Sequence, residues 1–225
     1  MLGWIICAES AKCGLQMRTV CGVPFLTLEA PLQRRWRDRR RLAAALRTMV
    51  RAGVRRVVVQ GGTVPELEAF GILTVDPTAL RMALLPQLLN WVDRTWQLQL
   101  KRRTVVLTGD VSDRAAWYAA EILSNRARYL RLETGAGQAA LESQLRRRWG
   151  IGAGGGEAVL EICLSKESCT ALPKLWLGRG CSHRQRIDVR WAGGPEMEEG
   201  MLCALFHAEK IPIEEIQVRF VEFRA

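Results

Sequence analysis

The apolar positions of the first thirty residues come in short runs broken by small or polar residues, and the chain then switches to helical spacing. Gly3 to Ala8, Leu15 to Cys21 and Pro24 to Leu28 are short runs of β-formers separated by small or polar residues, which is the pattern of strands. Leu42, Leu46, Met49 and Val50 recur at helical spacing, and Arg35 and Arg39 would fall among them on the same wheel. The pattern therefore predicts a helix that starts near Asp38 as its cap, leaves out Gln33 to Trp36 and ends at Gly53. Val54 to Val59 reads as a buried strand, Gly61, Gly62 and Pro65 as a loop, and Gly71 to Val75 as another short strand.

Asp76 followed by Pro77 marks a helix start, with a capping acid before proline at the first helical position. Leu80, Leu84, Leu88, Trp91 and Val92 carry that helix onward, with a kink or break expected at Pro86. Further on, Gln138 to Trp149 and Met197 to His207 read as helices. Ala158 to Leu164 and Ile216 to Phe223 read as strands, with weaker strand signals at Leu175 to Leu177 and Ile187 to Trp191. Strands alternating with helices predict an α/β fold with a mainly parallel sheet flanked by helices and a β-rich N-terminus. Two lobes, 1–96 and 97–225, or one extended sheet are expected.

The segment Arg103 to Glu133 organises the second lobe. Thr104 to Leu107 is a short apolar run, Thr108-Gly109 a turn, and Ala116, Ala119 and Ala120 would let the following helix sit close to a sheet. A second apolar run ends in Glu133, 24 residues after Gly109. The order strand, turn, helix, strand, acid over about 103–164 resembles the Rossmann-like NAD(P)-binding fold. The resemblance implies that Gly109, Asp110 and Ser112 line a phosphate turn and that Glu133 meets a ribose, with NAD(P) as the implied cofactor.

The chain departs from that family where the chemistry is concentrated. The second and third glycines are absent, and Asp110 and Asp113 fall where a pyrophosphate would lie, so like charges would repel it. The Tyr-x-x-x-Lys pair of short-chain dehydrogenases is also missing, because Ile122 and Glu133 stand four residues after Tyr118 and Tyr129. A literal G-x-G-x-x-G match at Gly150, Gly152 and Gly155 follows a helix and precedes a strand. That is the reverse of the order the motif needs, so it reads as a connection.

Charge adds a second candidate. The chain carries a formal charge of +10, and from Gln33 to Arg56 there are ten arginines against one acid, Asp38. Arg37, Arg40, Arg41, Arg47 and Arg51 share one face of the predicted helix, opposite its leucines, as a candidate surface for nucleic acid or another polyanion. The seven cysteines lack a C-x-x-C pair, so reduced, mostly buried thiols are expected. Cys203 and His207 lie four apart, but no second pair completes a metal site, and neither catalytic residues nor a metal site are assigned. No apolar run approaches the roughly 20 residues a membrane helix needs, and the apolar start lacks a basic flank. The expectation is therefore a soluble, cytoplasmic protein with no membrane partner.

Three functions follow from these features. The leading expectation is a non-catalytic structural, regulatory or partner-binding protein on a dinucleotide-type scaffold, with another protein as its partner. The alternative is an NAD(P)- or nucleotide-binding enzyme with an atypical phosphate turn. The third is a nucleic-acid-associated protein using the arginine segment.

Overall fold

A computed structural model describes residues 1–9, 11–32, 36–109, 114–150, 156–164, 171–178 and 185–223. Its elements run β1 (Leu2–Ala8), β2 (Gly14–Val20), β3 (Val23–Pro31), α1 (Trp36–Arg51), β4 (Arg56–Gln60), β5 (Leu73–Thr74), α2 (Thr78–Ala83), α3 (Leu85–Trp96), β6 (Thr104–Thr108) and α4 (Arg114–Ser124). They continue β7 (Tyr129–Glu133), α5 (Gln138–Trp149), β8 (Ala158–Cys163), β9 (Lys174–Trp176), β10 (Gln185–Trp191), α6 (Glu199–His207) and β11 (Ile216–Phe223). The architecture is mixed α/β, with parallel sheets flanked by helices, as expected.

The chain forms two compact units. The first comprises Met1–Asp76 and Gly193–Glu215, the second Pro77–Ala192 and Ile216–Ala225. The expected divide at 96/97 lies inside the second unit.

In the first unit five strands lie in the order β2-β3-β1-β4-β5. All pairs are parallel except the β2–β3 hairpin. Alternation along β1 puts Gly3, Ile5 and Cys7 on one face, where they pack with Leu42, Leu46 and Met49 of α1 and with Leu28 and Val57. Gly3 permits that approach: a Cβ there would lie 2.7 Å from both Met49 Cε and Val57 Cγ1. α6 packs on β4, and its Gly200 lies close to Val58, the neighbour of Val57 on the opposite face of the strand.

Two helix starts differ from expectation. α1 begins at Trp36 rather than near Asp38. Trp36 is 66% exposed, so the core does not limit how far the helix extends, and Asp38 supports it from within the first turn. Arg39 is exposed rather than set among the leucines. At the next helix Pro77 is itself the cap, with φ −75° and ψ −8°, and Thr78 is the first helical residue. The Asp76 carbonyl instead accepts from the Cys203 thiol at 3.0 Å and lies 3.3 Å from His207 Nε2. The expected interruption occurs one turn early: α2 ends at Ala83, and Pro86 sits in the first turn of α3, where its missing N–H costs nothing.

In the second unit four parallel strands lie in the order β7-β6-β8-β9. α4 rests on β6 and β7, burying Ala116, Ala119, Ala120 and Leu123. β10 and β11 form a separate antiparallel pair held to α3. Gln87 donates to the Ile216 carbonyl at 3.0 Å and accepts from the Val218 N–H at 3.2 Å, and Trp91 Nε1 donates to the Arg219 carbonyl at 2.9 Å. The β9 edge is closed by side chains. The Trp176 N–H donates to Gln185 Oε1 at 2.7 Å, and its carbonyl accepts from the buried Arg81 guanidinium at 3.2 Å.

Candidate functional site

β6 is buried along its whole length, with β7 on one side and β8 on the other. The chain leaves β6 for β7 and later crosses to β8 on the far side. The carboxyl ends of β6 and β8 therefore flank a point where the strand order reverses, and crevices at such points are where open α/β sheets hold ligands.

The end of β6 is tightly held. The Leu164 N–H donates to the Thr108 carbonyl at 2.9 Å, and the Gly109 N–H donates to the Glu133 carbonyl at 3.4 Å. Gly109 has φ +148°, and a Cβ there would lie 2.7 Å from Leu164 Cβ. Only glycine fits, because backbone conformation and space both exclude a side chain. Thr108 stands opposite Glu133 in the register, so the expected glycine and the expected acid are brought together on adjacent strand ends. Glu133 is exposed. Beside it, Thr134 is fully buried with its hydroxyl unpartnered among the described residues. Asp110 and Ser112 lie outside the described residues, as does Asp113.

Beneath this end of the sheet lies a polar cluster that the motif search missed. Glu161 is fully buried in β8. The Thr108 hydroxyl lies 3.0 Å from Glu161 Oε1 and 3.2 Å from the Ile162 carbonyl, and Lys174 Nζ is 4.0 Å from Glu161 Oε2. Cys163 shares the cluster. Burial, with smaller contributions from the Glu161 charge, pushes its thiol up to about 12 against the lowering effects of Thr108 and Lys174, so it stays protonated and is no nucleophile. The signal was present in the sequence: a single glutamate interrupts the apolar run Ala158 to Leu164.

Arg37, Arg40, Arg41, Arg47 and Arg51 are all exposed on α1. Arg40 Cζ lies 4.6 Å from the centre of the Trp36 ring and Arg47 Cζ 5.9 Å from that of Phe70. Cys203 is buried and His207 half-turned to the same carbonyl of Asp76, which accounts for their spacing. Cys7, Cys163 and Cys203 are buried, Cys13 is partly exposed and Cys21 is exposed, while Cys169 and Cys181 lie outside the described residues. Gly150 caps α5 in the left-handed conformation; the rest of the G-x-G-x-x-G match falls outside the described residues, between α5 and β8.

The first unit has a cleft of about 220 Å³ on the Trp4 face of its sheet, lined by Trp4, Val58, Gln60, Glu198 and Met201 among others. Trp4 is fixed there by donating to Gln60 Oε1 at 3.1 Å and by an edge-on contact with Phe25. Among the described residues, no helix is long and apolar enough to cross a membrane.

No protein-family model matches the chain, and no curated protein does. Among solved structures it is similar to D-lactate dehydrogenase from Escherichia coli, at 12% identity and a TM-score of 0.32, over 74% of this chain and 62% of that one. It is similar to L-tryptophan dehydrogenase from Nostoc punctiforme, at 10% identity and a TM-score of 0.36, over 79% and 62%. A third is 5-ketofructose reductase from Gluconobacter sp. strain CHM43, at 11% identity and a TM-score of 0.26, over 77% and 73%. The chain thus spans less than two thirds of the first two enzymes. Overlaps of this size are reached by α/β proteins that share βαβ units without sharing an activity.

Proposed function

We propose that the second unit binds a nucleoside or nucleotide at the carboxyl end of β6, between the ends of β7 and β8. The observation that carries this reading is the alignment of Thr108 with Glu133 across parallel strands, beside a position where only glycine fits. In that arrangement the exposed Glu133 carboxylate stands beside the end of β6, where it would accept from ribose hydroxyls. The chain enters the turn with Asp110 and Asp113 instead of further glycines. This favours a ligand with little negative charge near the turn over a pyrophosphate, and separates this site from a standard NAD(P) site.

Calorimetry with adenosine, AMP, ATP, NAD and NADP tests the reading. The expected result is that adenosine and AMP bind more tightly than NAD or NADP, and that Glu133→Ala weakens them by about tenfold or more. No heat with any of the five ligands would show that the βαβ unit is a scaffold without a nucleoside site. Low-micromolar NAD binding would overturn the charge argument.

A further inference from the structure

The exposed face of α1 carries an excess of one sign of charge. Arg37, Arg40, Arg41, Arg47 and Arg51 are exposed, and among the described residues none forms an ion pair. Asp38 is the single acid on the helix. A merely solvated helix face interleaves both signs and gains from oppositely charged neighbours four apart. Here Arg37 with Arg41, and Arg47 with Arg51, are like-charged neighbours at that spacing, and each pair weakens the helix. The helix holds because Leu42, Leu46 and Met49 are buried on its other side. Nothing within the described chain offsets the repulsion; a polyanion would.

Trp36 narrows the kind of polyanion. It is among the most exposed large apolar side chains, at 66%, and lies at the N-terminal edge of the arginine stripe with Arg40 against its ring. An acidic protein or an anionic membrane needs only the charges. A single-stranded nucleic acid also presents unpaired bases, and a base stacks on an exposed indole flanked by a guanidinium. From Arg37 to Arg51 the stripe runs about 21 Å along the helix, long enough to follow several consecutive phosphates.

We propose that the α1 face binds single-stranded nucleic acid without sequence preference, its phosphates along Arg37, Arg40, Arg41, Arg47 and Arg51 and one base on Trp36. A duplex offers the phosphates but keeps its bases stacked, so it binds less well. The binding is independent of the nucleoside site proposed for the second unit.

The test uses the full chain and a labelled oligothymidylate of about a dozen nucleotides, followed by fluorescence anisotropy. The matching duplex, a heparin column and phosphatidylserine vesicles serve as comparisons. With about four phosphates engaged, log K should fall against log salt with a slope of about −3, and the variant Arg40→Ser, Arg41→Ser, Arg47→Ser should reduce that slope by about 2. Trp36→Ala should weaken single-strand binding about tenfold with unchanged elution from heparin, and Trp36→Phe should retain most of the affinity. The proposal is overturned if Trp36→Ala binds the single strand as the unmodified chain does, or if the triple arginine variant keeps its affinity. Tighter binding to the duplex, or binding to the vesicles without binding to the oligonucleotide, would overturn it equally.

Discussion

A single methyl group added at Gly109 would meet Leu164 Cβ at 2.7 Å, on a backbone with φ +148°. Gly109→Ala should therefore destabilise the second unit by about 1–3 kcal/mol, visible as a lower urea midpoint. A midpoint equal to that of the unmodified chain would show that the strand end is not held as described. Cys163 makes a pH-dependent prediction. Burial first of all raises its thiol from 9.0 to about 12, so between those values the folded chain holds a proton that the unfolded chain has lost. Stability from this group is complete below pH 9 and declines as pH rises toward 12, by at most about 1.4 kcal/mol per pH unit. Urea midpoints from pH 8 to 10.5 should fall more steeply for the unmodified chain than for Cys163→Ala. Parallel curves would exclude the thiol as the cause. At this scale the sequence singled out Gly109 and Glu133 by pattern, but it could not show that Leu164 is what forbids a side chain at 109, because that contact joins strands far apart in the chain.

At the scale of elements, β8 carries a carboxyl group inside a sheet. Burying a carboxylate is tolerated only where partners meet it. Glu161 has the Thr108 hydroxyl from β6 and the Lys174 ammonium from β9, so three neighbouring strands share its charge. Lys174→Met should cost on the order of 3 kcal/mol by leaving that carboxylate less compensated, while Lys174→Met combined with Glu161→Gln should recover most of the loss. A double-mutant cycle with no coupling would show that the two side chains act independently. The helices were largely legible from periodicity, since burial of one face imposes period 3.6 on α1, and the strands from short runs of β-formers. Their ends were less so. The start of α1 at Trp36 and the use of Pro77 as a cap were missed because ends depend on local hydrogen bonds that periodicity does not register.

At the scale of the whole molecule, each compact unit is completed by a distant part of the chain. α6 joins the first unit although it begins at Glu199, and β11 joins the second, pairing with β10 and receiving Gln87 and Trp91 of α3. Removing residues 193–225 should thus damage both units, exposing Val58 in one and unpairing β10 in the other. The shortened chain should lose its cooperative thermal transition. A transition as sharp and as high as that of the full chain would show that the late segments are accessory.

The sequence by itself determined the α/β class, the βαβ order from Thr104 to Glu133, the apolar face of α1 and the reversed context of the G-x-G-x-x-G match. Each of these is a local periodicity or a local order of elements, and a helix or strand with one buried face writes that face into consecutive residues. Only the tertiary structure decided that α6 belongs with the first sheet, that Glu161 is compensated by Thr108 and Lys174, that Arg81 and Gln185 close the β9 edge and that Gly109 lies against Leu164. Contacts such as Thr108 with Glu161, Gly109 with Leu164 and Arg81 with Trp176 join residues dozens of positions apart, and one sequence carries no periodic trace of a contact made only once.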